Sequence, residues 1–310
     1  MNREVTFSSD VQLAGTLSIP ENVQDKAPAI LIIAGSGPTD RDGNMKKFQA
    51  NMYKQLSEFF VSLGFITLRF DKRGTGKSEG KFITAGMWDL VEDNIAALNF
   101  LKKQAEVDET KVFVVGHSEG CLQGNMIASK VPIRGLVMLA GAGQSLMEAT
   151  DYQREIAYSQ IKELTGFKGF LIRKLNVIEK DRKKAKKLFD KMLHTDKDTI
   201  RYQFIKMNAK WFREHAEYDQ ETSFRKIPCP VLAITGTKDA QADYRALERL
   251  TSDVGAPIET HIIKDMNHIL KIQEEPIDFQ KLKKTYVKGF TKPLPTELTN
   301  ILSKWLHEQI

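Results

Sequence analysis

Cysteine is almost missing from this chain: Cys121 and Cys229 are the two among 310 residues. They build no disulfide framework and show no metal-type spacing, so a disulfide scaffold is excluded and a reducing, cytoplasmic setting is expected. Long apolar runs are missing too. No stretch approaches the roughly 18 apolar residues of a membrane span. The opening Met1-Asn2-Arg3-Glu4-Val5 lacks the apolar character of a signal segment, so neither stable membrane insertion nor secretion is expected. One-sided charge is also missing. The 46 Lys and Arg residues stand against 40 Asp and Glu, and a net +6 spread over this length does not argue for nucleic acid. Internal repeats and low-complexity tracts are absent, which leaves a globular chain.

What is there is a 41% apolar, 28% charged chain, long enough for one large α/β domain with an insertion or for two small domains. Short strands are expected at 5–7 and 13–19, and a continuous apolar strand at 29–33, buried on both faces. A tight polar loop follows it, Ala34-Gly35-Ser36-Gly37-Pro38-Thr39-Asp40-Arg41-Asp42-Gly43-Asn44. It reads as turn chemistry or as a ligand-facing loop. Helical spacing covers 51–63 and stops at Gly64. A strand at 65–70 leads into Asp71-Lys72-Arg73-Gly74-Thr75-Gly76-Lys77-Ser78. That loop ends like a phosphate loop, but Asp71 stands where the first glycine belongs, and a carboxylate there would face the phosphates. A helix is expected over 87–103, and strands at 111–115, 134–140, 231–235 and 260–263. Residues 245–250 read as part of a helix, and a closing helix spans 298–310.

Between 144 and 225 no strand-like run is read, and apolar residues recur at helical intervals. The basic run Arg182-Lys183-Lys184-Ala185-Lys186-Lys187 reads as the solvated face of an amphipathic helix, with a membrane-surface or anionic-substrate role as the alternative. Strands alternating with helices predict an α/β fold with a mostly parallel sheet, carrying its chemistry in loops beyond the strand C-termini.

Three such loops carry a constellation. The first is Gly116-His117-Ser118-Glu119-Gly120, between the strand at 111–115 and a segment able to start a helix. A residue on so sharp a turn needs neighbours without bulk, hence Gly116 and Gly120, and the turn exposes the Ser118 hydroxyl. A small-residue turn for close helix packing is the plainer reading of the same five residues. The second loop is Gly236-Thr237-Lys238-Asp239, and the third is Lys264-Asp265-Met266-Asn267-His268. His268 can take the serine proton and return it to a leaving group, and Asp239 can orient the imidazole. Asp239 could instead cap the next helix, and Asp243 is a second acid nearby. His117, His194, His215, His261 and His307 lie in the nucleophile turn, in expected helices or in a strand. An oxyanion needs two donors: the backbone N–H of Glu119 and, from the loop after Ile33, the N–H of Ser36.

With these residues in place the chain resembles an α/β-hydrolase over nearly its full length, on GHSEG at 116–120, Asp239, Asn267-His268 and an insertion after the sixth strand. It is similar to a bacterial group of serine-aminopeptidase-like hydrolases that includes carboxylesterases, whose loops look like 34–44 and 71–78. The resemblance implies a mostly parallel central sheet flanked by helices, with a core of 1–143 and 226–310 and an all-helical cap, or lid, at 144–225 over the acyl pocket. It implies cleavage of small acyl esters without a cofactor or metal. Ala34 departs from the pattern, standing where many relatives carry His. A serine esterase acting as monomer or homodimer is therefore expected, with Phe204, Met207, Trp211 and Phe212 as an acyl-binding roof. A peptidase, a thioesterase or lysolipid hydrolase, and a non-catalytic binding protein are the competing readings. A peptidase would need Asp40, Asp42 or Glu119 to hold a free amine.

Overall fold

The apolar runs form the centre of one sheet because each offers apolar side chains to both faces. In the computed structural model, which describes residues 1–21, 23, 25–46, 48–251 and 255–310, the elements follow in this order. They are β1 (Asn2–Ser8), β2 (Gln12–Ser18), β3 (Ala27–Ile33), α1 (Met52–Ser62), β4 (Ile66–Phe70), α2 (Met87–Lys102), β5 (Val107–His117), α3 (Glu119–Ala128), β6 (Gly135–Leu139), α4 (Leu146–Lys162), α5 (Gly166–Lys174), α6 (Val177–Leu193), β7 (Thr199–Tyr202), β8 (Ile205–Asn208), α7 (Ala209–Glu217), α8 (Gln220–Phe224), β9 (Val231–Gly236), β10 (Ile258–Ile263), α9 (Leu282–Gly289) and α10 (Thr296–Gln309). Among the described residues, eight strands make the sheet in the order β1-β2-β4-β3-β5-β6-β9-β10. β1, β2 and β4 pair antiparallel, and every pair from β4 onward is parallel.

Alternation along the central strands divides the core in two. Leu31, Ile33, Val112 and Val114 face one side with Val91, Leu98 and Met126 of α2 and α3. Ile30, Ile32, Phe113 and Val115 face the other, with Leu56 and Phe60 of α1 and Leu302 and Trp305 of α10. Burial on both faces is the rule for parallel strands. Gly64 ends α1 as expected: at φ 90°, it lets its own amide reach Val61 O and that of Phe65 reach Phe60 O.

One expectation needs correction. Residues 144–225 are not all-helical, because β7 and β8 form an antiparallel hairpin with Ile200 opposite Met207. Its two turn residues, Gln203 and Phe204, both have positive φ, the backbone of a tight hairpin turn, yet neither is the Gly or Asn that would announce it. The helix expected over 245–250 is present as a 3₁₀ helix, Tyr244–Thr251. α9 falls in a stretch to which the sequence reading assigned no element.

Candidate active site

Ser118 sits where β5 gives way to α3, with φ 55°, a strained backbone for a residue bearing a Cβ. The turn is tight enough that a Cβ on Gly116 would run into Gly120 O, and one on Gly120 into Ile33 O. The Ser118 amide donates to Leu139 O at 2.8 Å, tying the turn to β6. Its half-buried side chain faces His268, with Oγ 3.1 Å from Nε2. His268 Nδ1 lies 2.9 and 3.0 Å from the two carboxylate oxygens of Asp239. Asp239 is fully buried and His268 is 5% exposed, so water does not screen this pair. Two parallel neighbours produce the convergence: Asp239 follows β9, His268 follows β10, and Gly236 stands opposite Ile263 in the register.

Asp239 also accepts from the amides of Gln241 and Ala242, so it closes its own turn while it holds the imidazole. Asp243 is turned to Arg245 instead. Of the other histidines, His194 and His307 face backbone carbonyls of their own helices, and His261 pairs with Glu259. His117 points beneath the site. Burial drops its pKa to about 3, so it is neutral at ordinary pH. Its Nε2–H then donates to His268 O at 2.9 Å. Nδ1 is left to accept from the Tyr53 hydroxyl at 3.1 Å, and that oxygen accepts from the Gly35 amide at 2.6 Å. Every donor in this chain finds an acceptor, and it joins the loop after β3 to the backbone of His268.

The Gly35 amide is thus occupied. Lys72, buried, donates through Nζ to the carbonyls of Gly35 and Gly37, the latter at 2.8 Å. Burial lowers its pKa to about 8, against a smaller upward pull from the Glu119 carboxylate. In a trans peptide the C=O and N–H point opposite ways, so holding Gly35 C=O aims the Ser36 N–H away from Lys72. Among the described residues, neither the Ser36 nor the Glu119 amide donates a hydrogen bond. The Glu119 side chain points away from Ser118. It accepts from Gln123 at 2.9 Å and from the Trp211 indole at 2.8 Å, with His215 Nε2 at 3.4 Å. Burial pushes its carboxyl up, but His215, Lys72 and Trp211 outweigh that and leave it below the ordinary carboxylate range.

The loop at 71–78 is filled from within. The Asp71 carboxylate takes the amides of Arg41 and Lys77 and the Arg41 guanidinium, each at 2.8 Å. A Cβ on Gly76 would collide with that carboxylate. The phosphate-like ending Gly76-Lys77-Ser78 therefore belongs to a turn built around an internal anion.

Ser118 and His268 open onto a cavity of about 450 Å³. Its walls include Met45, Phe48, Met52, Ile269, Phe279, Leu282, Val287 and Phe290, with Ser36 at the serine and Gln153, Gln241, Tyr286 and Lys283 as polar groups. The acyl-roof expectation is corrected here. Phe204 is completely exposed at the hairpin tip, and Met207, Trp211 and Phe212 pack with Met192 and Ile200 inside the insertion. The wall comes instead from 279–290, where Phe279, Leu282, Tyr286 and Phe290 repeat every three or four residues. That spacing was a readable signal. Lys72 and Tyr53 were missed as well, one standing in the loop with the phosphate-like ending and the other in an apolar helix.

Residues 48–275 match the family model described as Serine aminopeptidase, S33. Esterase EstD of Thermotoga maritima is 24% identical over 274 residues, which are 87% of this chain and 61% of that protein. The chain thus spans less than two thirds of the length of that relative. Among solved structures, Est1E from Butyrivibrio proteoclasticus bound to ferulic acid superposes with a TM-score of 0.66 at 19% identity, covering 98% of both chains. The alpha/beta hydrolase GrgF from Penicillium sp. sh18 gives 0.62 at 15% identity, covering 100% of this chain and 98% of the other. These likenesses identify the fold as that of the α/β-hydrolases. The family match takes in the nucleophile turn, Asp239 and His268, and the chain belongs to the serine aminopeptidase, S33 family of hydrolases.

Proposed function

We propose that this protein is a serine hydrolase that cleaves small carboxylic esters through an acyl-enzyme. The observation that carries the reading is the unbroken series of contacts from Ser118 Oγ through the His268 imidazole to the buried Asp239, opening on an apolar cavity. Ser118 attacks the acyl carbon while His268 takes its proton, and Asp239 stabilises the imidazolium. The oxyanion forms against the N–H groups of Glu119 and Ser36, with Lys72 positioning the second donor. His268 then protonates the leaving alcohol and activates water to release the acid. Residues 144–225 serve as a cap on a core of 1–143 and 226–310. Gln153 of α4 reaches the cavity, and Tyr152 donates to Asp239 O at 3.1 Å.

The amide-cleaving alternative is weaker on this geometry. A free amine needs a carboxylate, and among the described residues none lines the cavity, whereas Lys283 does. Asp42 is spent on Arg69, Asp40 on the amides of Asp42 and Asn44, and Glu119 on the cap. Replacing Ser118→Ala should lower turnover of a p-nitrophenyl acyl ester by roughly 10³-fold or more, and a fluorophosphonate probe should label Ser118. Undiminished hydrolysis in that variant removes the proposal. Aminoacyl amides turned over faster than esters reverse the ranking.

A further inference from the structure

Positive charge is concentrated in one place. Residues 166–193 hold ten Lys and Arg against three Asp and Glu, an excess of seven, whereas the whole chain carries a net +6. The rest of the molecule is therefore neutral to within one charge. The stretch is α5 and α6 with the turn between them. α6 turns Leu188, Phe189 and Met192 inward and leaves Lys180, Lys183, Lys184 and Lys187 exposed. Among the described residues, these four and Lys168 form no ion pair.

Beside this charge lie side chains that a free surface normally hides. Phe167 is 76% exposed, Phe170 51%, Leu175 52% and Val177 40%. The two kinds of group interleave: the Lys174 ammonium stands 5.7 Å from the Phe170 ring centroid. Unpaired lysines call for an anion, and exposed Phe, Leu and Val side chains call for hydrocarbon. A nucleic acid meets the first need, but leucine and valine offer it no stacking face. An anionic bilayer surface meets both.

We propose that α5 and α6 form a docking face for an anionic lipid bilayer. Phe167 and Phe170 enter the boundary between headgroups and acyl chains, and the α6 lysines lie over the phosphates. Attachment is peripheral, since among the described residues no helix is long and apolar enough to cross a membrane. The face is braced against the cavity wall. Arg182 of α6 pairs with Glu155 of α4 at 2.5 and 2.8 Å, Asp181 accepts from Tyr158 at 2.7 Å, and the same helix α4 brings Gln153 to the cavity.

Co-sedimentation of the full chain with vesicles tests this without reference to catalysis. Vesicles with about a third phosphatidylglycerol should hold the protein at least about tenfold more strongly than pure phosphatidylcholine, and salt near ~0.5 M should release it. Two variants, checked for an unchanged thermal transition, separate the parts. Lys183→Glu with Lys184→Glu and Lys187→Glu should weaken binding by about tenfold or more, and Phe167→Ser with Phe170→Ser by about tenfold. Equal binding to neutral and anionic vesicles, no binding, or unchanged binding in either variant overturns the proposal. Binding of soluble polyphosphate by a protein that ignores vesicles overturns it too, because it reports charge without a bilayer.

Discussion

At the scale of single residues, Lys72 and Ser118 pose opposite problems. Ser118 is legible because its neighbours are: no side chain fits at Gly116 or Gly120, and a steric requirement inside five residues shows in five residues. Lys72 carries no such local mark. Its meaning depends on the carbonyls of Gly35 and Gly37, far off in the chain and reached only in the fold. If it aims the Ser36 N–H at the oxyanion, Lys72→Met should lower kcat by about 10- to 100-fold with KM little changed, somewhat less than outright loss of a donor. The same lysine has a pH signature. Its folded pKa of about 8 lies below its ordinary 10.5, so between those values the unfolded chain holds a proton that the folded one has lost. Stability must then rise with pH across that window. Relative to Lys72→Met, the wild type should gain on the order of 3 kcal/mol between pH ~8 and ~10.5, read from denaturant melts. Lys271 is likewise pushed down to about 8 by burial, but it stays in both proteins and cancels in the difference.

At the scale of elements, the strands were readable and the insertion only partly so. Runs such as Ala29 to Ile33 and Val112 to Val115 have nowhere to go but a doubly covered sheet, and their burial pattern is continuous. The hairpin of β7 and β8 escaped because each strand is four residues long and its turn uses Gln203 and Phe204. Its apolar residues then fall at intervals that also suit a helix. α9 went unassigned, yet it supplies the cavity wall. Leu282→Trp should therefore narrow the cavity, lowering kcat/KM for an octanoyl ester by roughly tenfold or more relative to the acetyl ester. Phe204→Ser, at the exposed hairpin tip, should leave that ratio unchanged. A chain-length series on both variants decides whether α9 or the hairpin tip shapes the acyl site.

At the scale of the whole molecule, buried charge pairs hold the loops at one end of the sheet. Arg41 with Asp71 and Arg73 with Asp93 join at 2.8 and 2.7 Å, all four side chains being less than a tenth exposed. Removing Asp71 leaves Arg41 with the exposed Glu4 as its remaining ion-pair partner and takes the acceptor from the Arg41 and Lys77 amides, so Asp71→Ala should cost about 3–5 kcal/mol, measured by denaturant unfolding. Apolar runs, glycine sterics, and the order serine, acid, histidine are properties of short stretches, so the sequence alone determined the sheet, the nucleophile turn and the candidate triad. Which side chains meet depends on surfaces left over after the elements pack. Tertiary structure alone decided that Asp71 fills the phosphate-like loop, that the lysine beside it reaches across to the chain after β3, and that 279–290 rather than 204–212 walls the cavity.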